Sequence, residues 1–172
     1  MENAKKILIR DIENTFDTLL DELSKFEKKT LNEVPFEGSW TAGQTVEHII
    51  ICGSGIPDLH TTETNRPYDE KVEAIKDLFL NFDLKFKADP SLEPRSTSHT
   101  KDGLVQKIKE IKDHLKNIAE TKELKALCED MEFPSFGFLT RYEWLRFILF
   151  HTQRHIHQLK NIGGFVNEPK SL

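Results

Sequence analysis

The chain has 172 residues, a net charge of −5, 31% charged and 37% apolar residues. That length suits one domain around a single continuous core, spanning residues 1–172, and speaks against two. Lys and Arg are scattered among a larger number of Asp and Glu, which excludes a basic footprint for phosphate backbones, so no nucleic acid partner is expected.

From residue 3 to about 28, Leu8, Ile12, Phe16, Leu19, Leu23 and Phe26 recur at the three-and-four spacing of one helical face. The opposite face, with Glu13, Asp17, Asp21 and Lys25, reads as solvated. Pro35 and Gly38 break the pattern. Thr41-Ala42-Gly43-Gln44 then has the form of a capping box, in which the Thr hydroxyl and the Gln side chain satisfy free backbone N–H groups. The second helix runs from there through Val46, Ile49, Ile50 and Ile51 towards Pro57. It is apolar around so much of its circumference that it should be largely buried, His48 included.

Residues 59–100 are the least regular, with Pro67, Pro90, Pro94 and the cluster Ser96-Thr97-Ser98. Val72, Ile75, Phe79 and Phe82 restore helical spacing within the stretch and predict a short extra helix at about 69–82, across the bundle or beside its mouth. The rest is a long crossover connection, which leaves the next helix free to run in either direction. The third long helix follows Asp102, with Leu104, Ile108, Ile111, Leu115 and Ile118 on one face.

After Cys128, the stretch Phe133-Pro134-Ser135-Phe136-Gly137-Phe138 leads to a second capping box, Thr140-Arg141-Tyr142-Glu143, with a hydrophobic staple expected between Leu139 and Trp144. The last helix places Trp144, Phe147, Ile148, His151, His155, Leu159 and Ile162 on one stripe, and Gly163-Gly164 is expected to end it. No strand pattern of comparable strength occurs. The fold class is all-α, a four-helix bundle.

Met1 is followed directly by a charged amphipathic segment and no run of about twenty apolar residues occurs, so neither a signal peptide nor a membrane span is expected and the location should be cytoplasmic. Cys52 and Cys128 fit no CxxC or zinc-ribbon spacing and read as buried, reduced thiols. Cys52 lies one turn after His48 and is placed to line any site there.

His151 and His155, at i and i+4, share one helical face, so their imidazoles can converge on one point. A core histidine with one hydrogen-bond partner is the bland alternative for either ring. Two inward imidazoles together need partners for four nitrogens, which a divalent cation would help to supply. His157 points to the opposite side and is left out. HExxH is absent, and the Glu-x-x-His pairs of di-iron bundles are missing because Glu47 directly precedes His48. What remains is three neutral histidines, His48, His151 and His155, on one ion with positions open to water or substrate.

Trp40 with His48 eight positions later, then Glu143-Trp144 and His151-x3-His155-x2-Gln158-Leu159, resembles the DinB/YfiT-like family of bacterial four-helix-bundle proteins over nearly the whole chain. The resemblance implies that His48, His151 and His155 are the metal triad. It also implies an up-up-down-down bundle with a crossover, a divalent metal that is usually nickel or zinc, and frequently a homodimer. The family includes thiol-dependent transferases and isomerases that use low-molecular-weight thiols, and none of its functional residues maps to 59–100.

The expected function is a metal-dependent enzyme, a thiol S-transferase acting on a small-molecule thiol and an electrophile, with a metal-assisted hydrolase as the nearest variant. The competing expectation is a non-enzymatic, stress-related binding or dimerisation protein whose metal only braces the bundle. No side chain stands out as a general base, so the catalytic residues are unassigned. Glu47, Gln44 and Gln158 are candidates for substrate or supporting contacts, and Arg141 and Arg154 for contacts to an anionic thiol.

Overall fold

The computed structural model describes residues 1–167. The four long helices are α1 (Glu2–Ser24), α3 (Ala42–Gly53), α5 (Lys101–Thr121) and α6 (Arg141–Val166), with short α2 (Lys28–Leu31) and α4 (Val72–Phe79). The starts follow local chemistry. At α3, the Gln44 N–H donates to Thr41 Oγ1 and the Thr41 N–H to Gln44 Oε1, both at 3.1 Å. At α6, Glu143 N–H donates to Thr140 Oγ1 at 3.2 Å and Thr140 N–H to Glu143 Oε2 at 2.8 Å. Each such cap is worth about 1 kcal/mol. Leu139 and Trp144 are both buried in one cluster, as the staple requires.

Several boundaries move. α1 stops at Ser24, but Phe26 and Leu31 beyond it stay fully buried, which is why the apolar pattern runs on to about 28. The helix predicted at about 69–82 is the shorter α4, buried at Ile75. α6 does not end at Gly163-Gly164. Neither glycine takes the left-handed conformation of a helix-ending residue, and buried Ile162 and Val166 carry the packed stripe past them.

Two-residue strands β1 (Thr61–Thr62) and β2 (Leu127–Cys128) pair antiparallel. They are too short to show the alternation by which a strand is read.

Contacts along the helices fix their directions. Between α1 and α5, Lys5 bonds the Glu120 carbonyl, Glu13 pairs with Lys116, Asp17 with Lys112 at 2.8 Å, and Lys101 bonds the Ser24 carbonyl, so the two are antiparallel. Arg146 meets Asp11, Gln153 meets Thr15, and Asn167 meets the Lys25 carbonyl, so α1 and α6 are parallel. Gly53 sits against Ile148 while His48 meets His151 and His155, so α3 opposes α6. The order is therefore up-down-down-up, not up-up-down-down. α3 and α5 run the same way because the connection at residues 54–100 returns the chain to its starting end. These contacts also correct the reading of Glu13 and Asp17 as merely solvated, although exposed pairs of this kind contribute little to stability.

Leu8, Ile12, Phe16, Leu19 and Leu23 of α1 meet Val46 and Ile49 of α3, Ile108 and Leu115 of α5, and Ile148, Ile156 and Leu159 of α6 in one core. A second cluster, with Ile75, Cys128, Phe133, Leu139, Trp144 and Phe150, lies under α4. The first part of the crossover is clamped to it by Glu143. That fully buried carboxylate accepts both Arg66 Nη groups at 2.7 Å and the Lys71 N–H at 2.9 Å, as well as capping α6. Among the described residues, no helix is long and apolar enough to cross a membrane.

Candidate metal centre

α3 and α6 are packed neighbours, and the phase of each helix turns its inward histidines towards the other. His48 Nε2 lies 3.1 Å from His151 Nε2, and His155 Nε2 lies 3.1 Å from the same atom. All three donor atoms fall within 4.8 Å of one another. Nitrogens bound at the usual 2.0–2.1 Å to one ion stand roughly 2.9–3.4 Å apart for right-angled to tetrahedral arrangements, a range that contains both contacts.

The outer nitrogens are already committed. His48 Nδ1–H donates to the Leu92 carbonyl at 2.7 Å, and His155 Nδ1–H donates to Gln158 Oε1 at 2.7 Å. With Nδ1 protonated on both rings, each presents a bare lone pair at Nε2. His151 Nε2–H can donate to only one of them. The other lone pair then faces nitrogen without a proton between, an arrangement that a divalent cation satisfies and an apolar core does not.

Electrostatics point the same way. His48 and His151 are buried and His155 is half-buried. Burial, joined by the neighbouring His48, lowers His155 to about 4. Burial and the two other rings hold His151 well below 6.5, and burial lowers His48 despite its bond to Leu92. All three are neutral near pH 7, the form in which imidazole ligates. The Trp40 ring stands 5.0 Å from His48, and Phe147 and Phe79 stand 5.6 and 6.1 Å from His151, giving the cluster an apolar wall.

The other candidates divide. Gln158 does support the site, through His155. Gln44 is a cap that also donates to the Ser96 carbonyl at 3.3 Å. Glu47 is not a solvated face residue, for it accepts the Arg95 and Ser96 N–H groups, each at 3.1 Å, and His99 Nε2–H at 2.8 Å. Arg141 is buried and bound to Asp58 at 2.8 Å and to the Glu123 carbonyl, which leaves it no contact with a thiol at this site. Arg154 spends its guanidinium on the carbonyls of Phe79, Asn81 and Leu84 and lies 4.6 Å over the Phe86 ring. It still places a positive charge beside His151 and His155.

Cys52 is half-buried rather than buried as expected, with Sγ 3.8 Å from both nitrogens of His48, and it does not join the converging donors. Burial pushes its thiol up to about 12. Cys128 is fully buried in the second cluster, and both cysteines are free. His157 faces away, stacked on Phe82 at 4.0 Å. The Leu92 carbonyl is the supporting group that sequence reasoning missed, and a backbone oxygen has no residue-type signal by which to find it.

A family model described as the DinB superfamily matches residues 11–159. No curated protein and no solved structure matches the chain.

Proposed function

The chain belongs to the DinB superfamily, and we propose that it is a metal-dependent enzyme, a thiol S-transferase whose centre is held by His48, His151 and His155. The observation that carries the reading is the pair of outer nitrogens bound to Leu92 and Gln158, which leaves bare Nε2 lone pairs turned to one point. Nickel and zinc both suit three imidazoles. A divalent cation there supplies Lewis acidity, lowering the pKa of a thiol or a water in an open position.

The chain's own residues supply the rest. Leu92 and Gln158 fix the ring tautomers, and burial keeps the rings neutral and able to ligate. Trp40, Phe79 and Phe147 limit water around the centre and so strengthen charge interactions within it. The three neutral donors bring no negative charge, and Arg154 adds a positive one, so an anionic sulfur is the better-matched ligand. In the hydrolase variant, water takes the place of the thiol.

Burial of His48 and His151 at 4% and 8% exposure favours a second reading, in which the ion only braces the bundle, since structural sites are closed. Two measurements decide. Elemental analysis of protein purified without added metal should find a stoichiometric divalent ion that His155→Ala loses; no metal in either protein ends the metal reading. Thiol added to the cobalt-substituted protein should change its visible spectrum, and a panel of thiols and electrophiles should give turnover. An unchanged spectrum with no turnover leaves the bracing metal.

A further inference from the structure

Residues 80–100 form no regular element beyond a single 3₁₀ turn at Pro90–Leu92, yet the stretch is fastened at both ends. On α6, Arg154 holds the carbonyls of Phe79, Asn81 and Leu84. On α3, the Glu47 carboxylate takes the N–H groups of Arg95 and Ser96 and Nε2–H of His99. Asn32 holds His99 from the other side, accepting its N–H at 2.7 Å and donating to its carbonyl at 3.0 Å. Between these fasteners lies the Leu92 carbonyl, 2.7 Å from His48 Nδ1.

Glu47 and His48 are adjacent in α3 and so point about 100° apart around it. One side chain can therefore grip the strap while the next turns into the bundle. We propose that Glu47 is a positioning residue for the centre: its carboxylate holds residues 92–99 in the register that brings the Leu92 carbonyl onto His48 Nδ1, leaving Nε2 bare towards His151 and His155. The consequence for metal affinity rests on the function proposed above. The ring's tautomer is a property of the metal-free chain and does not.

A neutral imidazole with no partner favours the proton on Nε2. Without Leu92, His48 would turn an N–H instead of a lone pair towards the other rings. Two variants reach the strap by different routes. Glu47→Gln replaces one accepting oxygen with an NH2 group facing a donor. Gly43→Ala leaves Glu47 and the three histidines unsubstituted, but its Cβ would fall 2.6 Å from His99 Nδ1 and 3.0 Å from His99 Cβ, so His99 must move. Alanine also favours helix over glycine, so weaker metal binding in that variant would not follow from a weakened α3.

The experiment is long-range nitrogen-15 NMR of the metal-free protein, with a zinc competition titration of the same samples. Wild type should show His48 with its proton on Nδ1. Both variants should move that proton towards Nε2 while His155 keeps its own on Nδ1, and zinc affinity should fall by about 10–100-fold, the usual effect of losing support behind a ligand. Variants that fold and keep the wild-type tautomer of His48 overturn the proposal, whatever happens to zinc. If wild type binds no zinc while the tautomer shifts as expected, the positioning role stands and the metal reading falls.

Discussion

Lowering the pH of the metal-free protein from about 7.5 to about 5 should destabilise it through the buried imidazoles. His155 sits at about 4 against an ordinary 6.5, because burial and then the nearby His48 disfavour its cation. A folded-state pKa below the unfolded one means that the unfolded chain binds more protons in the interval. Stability is then full above about 6.5 and is lost as the pH falls towards 4. At 1.36 kcal/mol per unit, His155 alone gives up about 2 kcal/mol by pH 5 and about 3 kcal/mol once the interval is crossed. His48 and His151 are lowered as well and add to the loss. The assay is urea unfolding followed by helical circular dichroism on chelator-treated protein, wild type against His155→Gln. The variant cannot titrate at this position, and carboxylates common to both chains cancel in the difference. Zinc should flatten the wild-type curve until protons displace it. A difference that stays level between about pH 7.5 and about pH 5 would refute the claim that His155 is held neutral by its surroundings.

Glu143→Ala removes the acceptor for both Arg66 Nη groups and for the Lys71 and Thr140 N–H groups, and should cost about 3–5 kcal/mol in denaturant unfolding. A loss no larger than that of a simple cap, about 1 kcal/mol, would show that the clamp contributes little. Gln158→Leu leaves His155 Nδ1–H without its acceptor and should weaken zinc by about 10–100-fold in a competition titration, with little change in the melting of metal-free protein. Burial pushes the thiols of Cys52 and Cys128 up to about 12 and about 11, so iodoacetamide should label the native protein far more slowly than the urea-unfolded chain. Equal rates would contradict the burial of Cys128 and the partial burial of Cys52.

What the sequence made legible was local. The boxes at Thr41/Gln44 and Thr140/Glu143 involve residues three apart, and helical phase alone separates His151 and His155 from His157. The apolar positions Val46, Ile49, Ile50 and Ile51 around it are enough to bury His48. Other features depend on tertiary partners that no local pattern names. Glu143 reads as a cap, but the guanidinium it binds lies 77 residues away. Glu47 is one of three candidates for a substrate or supporting contact, and the partners that single it out, two backbone N–H groups and a histidine, are supplied by the crossover. The direction of α5 stays open because a connection as long as residues 54–100 reaches either end of the bundle. Gly163-Gly164 resembles a helix stop, and only the burial of Val166 past it shows why α6 continues.

Because α3 and α5 run in the same direction, the chain between them must travel back the length of the bundle. α3 has 12 residues and is about 18 Å long, a distance that about six extended residues would cover. Residues 54–100 far exceed that need, and the surplus forms α4 and the strap from Phe82 to His99. The three histidines thus stand on two packed helices, whereas the Leu92 carbonyl behind His48 comes from chain that the bundle does not require. Exchanging residues 85–88, which lie between the Leu84 carbonyl held by Arg154 and the Asp89-capped turn that carries Leu92, would change the chain beside the centre while leaving the three imidazoles and their supports in place.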